Sequence, residues 1–505
     1  MKKIIRSAIY SFLLFLEVFF IKAVLLIAET FPLDNTEAVT YTLTHNISGA
    51  KDYSYTLIYE ILTSSIFITL LIIIAISVFL FTFNLIDRHR QTPSQRRPSF
   101  KKIIVITDLI CLTLLIHCIY RNIPLLDYYK HWNNSDKISS DIDFYTKEYI
   151  DPDSLKISFS EKRNLILILL ESIEYNFQDS ANGGTLPQNL IPEITNYIKT
   201  EQSFIPGGTQ ITGTGWTMAD VVAKTCGIPL MLSPSQPDHP TPHGKFIPGA
   251  SCLTDILHQH GYVTIVSKGA DLKFSGMEAF VKTHLVDEGY GRNEYLQQGL
   301  IDQSILNEWG VPDSAHYALI KKHIERLSAT NKPWAVWMIT LNTHTPYGAN
   351  DPACHIPENA LNWERLHSNI HCSSQQLDDF IKWAKKQEWF EHTTIAVMGD
   401  HATMAPSHVI GFNGMKQTHY WLDFFINSAK TPIANKRTFT SLDMFPTILE
   451  AMGAKIPEKA LGLGRSLYSW SPTLLEKYGL DSLNKSLNKH NRTYSKFLYF
   501  DKKAE

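Results

Sequence analysis

Glu171, His344, Asp400 and His401 share one position: each closes a near-continuous apolar run, in NLILILLE, WAVWMITLNTH and TIAVMGDH. Glu171, Asp400 and His401 supply two hard oxygens and one imidazole nitrogen, a set that suits Zn²⁺ or Mn²⁺, whereas Ca²⁺ would require more oxygens. Three protein ligands leave a position open, as catalytic rather than structural sites do. The stretch ITGTGWTMADVVAKTCGIPL brings four threonines, Thr212, Thr214, Thr217 and Thr225. Thr217 heads the helix-like MADVVAKT, where backbone N–H groups and the helix dipole favour an anion. A hydroxyl there, acidified by a cation held on the distant residues, would be a nucleophile toward a phosphate or sulfate ester. Thr212 and Thr214 read as turn residues and Thr225 as a residue inside the helix. His239 and His243, in PDHPTPH, read as loop residues rather than ligands.

The elements that must position these groups follow from the pattern around them. NLILILLE, YVTIVSKG (Tyr262–Gly269), WAVWMITLNTH and TIAVMGDH are apolar on both faces and alternate with helical stretches such as Cys372–Gln387. Strands buried on both sides between helices indicate an α/β domain with a mostly parallel sheet covered on both faces. In such sheets ligands bind at the carboxyl ends of the strands, where the candidate groups fall.

The amino-terminal part has a different texture. Ile61–Ile86 is an uncharged apolar run of 26 residues, long enough to cross a bilayer. Ser7–Phe31, which carries Glu17 and Lys22, and Ile103–Tyr120, interrupted by Asp108 and His117, are two further spans. Lys2, Lys3 and Arg6 precede the first span, and DRHRQTPSQRRPSFKK lies between the second and third, whereas Lys51 is the single basic residue between the first and second. The positive-inside rule puts the N-terminus and the basic loop in the cytoplasm, so that three spans export everything after about Arg121. A cleaved signal peptide is the competing reading of the first span and exports the large domain equally. The expected organisation is a membrane region over 1–120, a juxtamembrane linker over 121–163, and an exported catalytic domain over 164–505.

The formal net charge of −2 gives no basic stripe and no indication of nucleic acid. Cys226, Cys252, Cys354 and Cys372 form an even set in the exported part, and the most local pairing is Cys226–Cys252 with Cys354–Cys372. A zinc cluster is the rival, but no C-x-x-C spacing occurs. Cys111 and Cys118 fall in the third span and read as inert.

Several stretches resemble the alkaline-phosphatase-like, sulfatase-fold transferases of bacterial envelopes. They include AVTYTLTHNISGA, LLESIE, GTGWTMADVVAKTCGIPL, SCLTDIL, KGADLKFSG, TLNTHTPYG, GDHATM, DMFPTILEAMG and LGLGRSL, in order from Ala38 to Leu467. The match is closest to the phosphoglycerol transferase I-like branch, which modifies osmoregulated periplasmic glucans; lipoteichoic acid synthases and phosphoethanolamine transferases are more distant. The resemblance implies a sulfatase-type α/β fold, one divalent ion (Zn or Mn) and metal ligands at Glu171, Thr217, Asp400 and His401. It makes Thr217 the nucleophile and gives His344 a contact to the substrate phosphate or leaving group. Lys273 stands where relatives carry a basic residue that holds a phosphoryl oxygen. The implied partners are phosphatidylglycerol as lipid donor and a periplasmic or other envelope glycan as acceptor. The implied location is the bacterial inner membrane, with the catalytic domain in the periplasm.

Members of that branch continue well beyond the catalytic domain, whereas LGLGRSL is followed here only by Tyr468–Glu505, which leaves the acceptor open. Among the alternatives, a sulfate-ester hydrolase needs a Cys or Ser in a C/S-x-P-x-R context, which Thr217-Met-Ala-Asp-Val does not provide. A phosphoethanolamine transferase acting on lipopolysaccharide would use the same metal and threonine, with more spans than are found here. A non-catalytic envelope sensor on a decayed fold should have lost a ligand, yet all four positions hold competent groups.

Overall fold

The computed structural model describes residues 2–30, 51–88, 100–126, 129, 144–201, 208–231, 244–345, 347–404, 409, 422–431, 437–489 and 492–502. The chain divides into two compact units, Met1–Asp34 with Lys51–Tyr129, and Asn35–Ala50 with Lys130–Glu505. In the first unit, α1 (Lys2–Thr30), α2 (Lys51–Arg88) and α3 (Phe100–Asn122) are long helices. Each contains a stretch long and apolar enough to cross a membrane: Ile9–Ala28, Ile58–Phe83 and Lys102–Asn122. Leu14, Val18 and Cys111 pack together where α1 meets α3. α2 begins ten residues before the apolar run read from the sequence, at Lys51, because nothing in KDYSYTLIYE breaks a helix. AVTYTLTHNISGA and most of the basic loop, residues 89–99, lie outside the described residues.

The second unit is built on a six-stranded sheet of β1 (Asn164–Leu170), β2 (Val263–Lys268), β3 (Glu288–Tyr290), β4 (Trp334–Ile339), β5 (Thr393–Gly399) and β6 (Asp423–Ile426), in the order β3-β2-β4-β1-β5-β6. All neighbours are parallel except β5 and β6. The sheet is thus mostly parallel, with an antiparallel edge. Its apolar runs are buried on both faces because helices cover both: Leu165, Leu167 and Leu169 enter one core, and Ile166, Ile168 and Leu170 the other. Each such side chain contributes on the order of 1.5–3 kcal/mol on leaving water.

The helices that matter for the site are α4 (Pro192–Thr200), α5 (Thr217–Cys226), α6 (Leu253–Gln259), α7 (Met277–Thr283), α8 (Asp313–Ser328), α9 (Asn362–Ala384) and α10 (Met444–Ala451). α9 starts ten residues before the Cys372 start read from the sequence, because Glu364 caps the Leu361 N–H at 2.7 Å. Phe144–Arg163, read above as linker, is in part a built piece of this unit. Tyr145 is fully buried in its core, and Ser158–Phe159 pairs with Ala454–Lys455. The apolar ring of Tyr145, rather than the charged residues around it, decides that placement.

Candidate metal and nucleophile site

β1 and β5 are hydrogen-bonded neighbours, and Leu170 pairs with Gly399 at their last register position. The residues that follow, Glu171 and Asp400, therefore emerge side by side at the carboxyl edge. Gly399 permits this approach, since a Cβ there would sit 2.1 Å from the Ile173 carbonyl oxygen. Ser172 turns the chain in the left-handed region (φ 54°). That turn aims the Ser172 N–H at Asp400 Oδ1 (2.7 Å), while the Ser172 hydroxyl donates to Glu171 Oε1 (2.7 Å). A strained serine at this point is explained by the two carboxylates that it holds.

Glu171, Asp400 and His401 are all buried, and one ligand atom from each lies within 4.8 Å of the others. Asp400 Oδ1 accepts from the Ser172 and His401 N–H groups, both at 2.7 Å. Asp400 Oδ2 is buried with no hydrogen-bond donor among the described residues, and His401 Nε2 is 3.4 Å from it and 3.5 Å from Glu171 Oε1. His401 Nδ1 donates to the Ala402 carbonyl (2.9 Å), which turns the Nε2 lone pair toward the carboxylates. Three electron-pair donors thus converge on one point, and their chemistry calls for a positive charge there. Burial, followed by the neighbouring Glu171, pushes Asp400 up to about 7. Burial opposes the charged form of His401, but Asp400 and Glu171 outweigh it and raise its pKa. The donor set fits a divalent cation of the zinc or manganese class.

Thr217 is the first residue of α5 and half-buried. Its hydroxyl donates to Glu171 Oε2 at 3.2 Å and lies 3.4 Å from His401 Nε2. Trp216, extended before the helix, provides no side-chain cap to its first turn. The other threonines serve the backbone: Thr214 donates to the Ile211 carbonyl (2.8 Å) and Thr225 to the Val221 carbonyl (2.6 Å). Thr212 donates to Asn488 Oδ1 at 3.0 Å. Gly213, at φ +72°, makes the turn before them possible.

A small cavity opens beside this centre, lined among others by Glu171, Thr217, Lys268, Phe274, Trp309 and His344. His344 stacks on Trp309 with ring centroids 3.8 Å apart, and its Nδ1 donates to the Thr345 carbonyl at 2.8 Å. Enclosure lowers its pKa to about 4, so that near neutral pH the ring is uncharged and Nε2 is an acceptor.

Lys273 is exposed and does not line this cavity; it contributes its backbone N–H to Asp271 Oδ1 (2.9 Å). The lysine in the cavity is Lys268, the last residue of β2, 5% exposed. Burial lowers its pKa to about 8, with Asp271 and Glu171 opposing, so it is still mostly protonated at neutral pH. A lysine ending a strand reads in sequence as a solvated terminus, and nothing local distinguishes it from Lys273.

Two more buried groups escaped the sequence reading. Lys224, on α5, pairs with Asp220 Oδ2 (2.6 Å) and donates to the carbonyls of Gly399 and Asp400, the latter at 3.5 Å. It links the helix of Thr217 to the loop that carries Asp400 and His401. Asp313 accepts from the Leu341 and Asn342 N–H groups (2.8 and 3.0 Å) and so fixes the segment leading to His344.

Cys226–Cys252 joins the end of α5 to α6, and Cys354–Cys372 ties a loop to α9; Cys111 and Cys118 are free thiols. His239 and His243 lie outside the described residues.

The family model described as Sulfatase matches residues 163–454, more than half of the chain. The chain belongs to the sulfatase family. Within that family, it is 32% identical over 313 residues to phosphoglycerol transferase I of Salmonella typhi, covering 61% of this chain and 39% of that protein. The same figures hold for phosphoglycerol transferase I of Salmonella typhimurium. The chain thus spans about two fifths of the length of these curated relatives. The fold also matches a solved protein of the alkaline phosphatase superfamily from Vibrio parahaemolyticus, with a TM-score of 0.50 and 22% identity over 68% of this chain and 78% of that one. The sulfatase family thus supplies the α/β fold expected from the strand and helix pattern.

Proposed function

We propose that the chain transfers phosphoglycerol from phosphatidylglycerol to a hydroxyl of an envelope glycan, releasing diacylglycerol. The observation that carries this is the Thr217 hydroxyl at 3.2 Å from Glu171, within the Glu171–Asp400–His401 cluster. The 32% identity to phosphoglycerol transferase I supports the choice of headgroup.

Glu171, Asp400 and His401 would hold one divalent ion, with the Thr217 oxygen at the open position. When bound, that ion lowers the pKa of a hydroxyl and draws charge from a phosphoryl oxygen. Thr217 attacks phosphorus, the bond to the diacylglycerol oxygen breaks, and glycerophospho-threonine remains. The proton lost by the threonine hydroxyl balances the one taken up by diacylglycerol. A sugar hydroxyl then displaces Thr217 in line, which restores the threonine and completes a ping-pong cycle. The N–H groups at the start of α5 stabilise the phosphoryl oxygens. His344, uncharged and with Nε2 as acceptor, orients a hydroxyl of the headgroup or takes the proton of the incoming sugar hydroxyl. Three helices long and apolar enough to cross a membrane support an inner-membrane location, where the donor resides, and the positive-inside distribution favours a periplasmic catalytic domain.

The test is an assay of the purified full chain in detergent, with headgroup-labelled phosphatidylglycerol. Metal-dependent release of diacylglycerol together with a labelled protein or glycan is the expected result. Intact lipid after long incubation with either zinc or manganese would contradict the proposal.

A further inference from the structure

The cavity beside Thr217 contains one fixed positive charge and otherwise mostly apolar or neutral groups. Among the described residues, Lys268 is the one lysine or arginine that lines it. Its ammonium is pinned, donating to the Phe274 carbonyl at 3.2 Å and lying 5.1 Å from the centroid of the Phe274 ring. The lining also includes Met218, Met277 and Trp309, which offer no anion. Among the described residues the one acidic residue lining the cavity is Glu171, whose carboxylate belongs to the candidate metal cluster. Asp271, three residues further along, favours the charged form of Lys268 but turns its oxygens to the Lys273 N–H (2.9 Å) and to Asn293 Nδ2 (2.8 Å), and does not line the cavity.

We infer that Lys268 determines donor specificity, admitting phospholipid headgroups without a cation, such as glycerol, and rejecting those that carry an ammonium. This rests on the transfer reading above and adds the property by which the same site chooses its lipid. The physical basis is like-charge repulsion in a poorly solvated space. Two ammonium groups confined there repel far more than they would in water. The carboxylates that favour the charged form of Lys268 are Asp271, held by the Lys273 N–H and Asn293, and Glu171, which belongs to the candidate metal cluster, so both are already engaged. A glycerol headgroup brings no charge and can donate its hydroxyl hydrogens to His344. Lys268 also attracts the phosphodiester anion, but that attraction is common to every phospholipid donor and does not discriminate between them.

The experiment measures diacylglycerol release by the full chain from mixed vesicles containing either phosphatidylglycerol or phosphatidylethanolamine, for wild type, Lys268→Met and Lys268→Arg. The wild type should prefer phosphatidylglycerol by about tenfold or more in kcat/KM. Lys268→Met should bring that ratio toward one, mainly through faster use of phosphatidylethanolamine, and Lys268→Arg should keep it. Equal loss on both donors would reduce Lys268 to a phosphate contact and overturn the inference, as would a wild-type preference for phosphatidylethanolamine. If Lys268→Met fails to fold, Lys268→Arg and Lys268→Gln supply the comparison, with Arg retaining the ratio and Gln losing it. Failure of the underlying transfer reading gives a different result, no release from either lipid by the wild type.

Discussion

The Thr217 hydroxyl donates to Glu171 Oε2 at 3.2 Å although 46 positions separate the two residues in the chain. One stands at the first turn of α5 and the other at the end of β1, and the same hydroxyl lies 3.4 Å from His401 Nε2, after β5. Three elements thus meet at one oxygen atom. That meeting gives the four threonines of ITGTGWTMADVVAKTCGIPL their different roles, since only Thr217 among them faces electron-pair donors capable of holding a cation.

The ligand cluster predicts a specific loss pattern. Glu171→Gln, Asp400→Asn and His401→Ala should each weaken zinc or manganese binding by roughly a hundredfold or more, since even indirect partners of a metal ligand contribute 10–100-fold. Titration of the metal-stripped chain, followed by metal content after dialysis, measures this directly. Unchanged affinity in all three variants would move the metal away from this cluster.

Lys224 and Asp220 are both fully buried and paired at 2.6 Å. Removing one partner leaves the other as an uncompensated charge, at a cost of about 3–5 kcal/mol. Lys224→Met should therefore lower the urea midpoint of the catalytic unit markedly, and Asp220→Asn combined with it should recover part of the loss. A midpoint for the single variant equal to wild type would show that the pair contributes little.

Glu148 supplies a pH dependence remote from the metal. Burial alone would raise its pKa, but hydrogen bonds from Lys477 and Tyr478, together with the charges of Lys477 and Arg465, outweigh burial and hold it below its ordinary value near 4.5. A depressed carboxylate contributes stability that is fully present above the unfolded value and is lost as pH falls through the folded one. Glu148→Gln should therefore reduce stability at neutral pH and flatten the acid limb of an unfolding-versus-pH curve below about 4.5. An acid limb identical to wild type would remove Glu148 from the account.

The sheet and the clustering of Glu171, Asp400 and His401 were legible in the sequence because long two-sided apolar runs mark central parallel strands, and polar groups at their ends fall together at the carboxyl edge. β3 and β6 were not, since EGY and DFFI are too short for any periodicity to show. Ser172, Lys224 and Asp313 escaped for another reason. Each acts on residues far away in the chain, through a turn conformation or a buried hydrogen bond that residue type alone does not reveal. The exchange of Lys273 for Lys268 as the cavity's lysine shows the same limit at close range. Five positions separate them, and only the direction of a strand end decides which one lines the cavity.

The central claim is that Thr217 carries the transferred group, and the most direct measurement is peptide mapping of the full chain quenched during turnover with headgroup-labelled phosphatidylglycerol. The label should reside on the peptide containing Thr217, as glycerophosphate bound to its side chain. Thr217→Ala should lose that adduct and slow diacylglycerol release on the order of 10³-fold or more, with metal binding largely retained. A labelled adduct that persists in Thr217→Ala, or that maps to another residue of the wild type, would contradict the account.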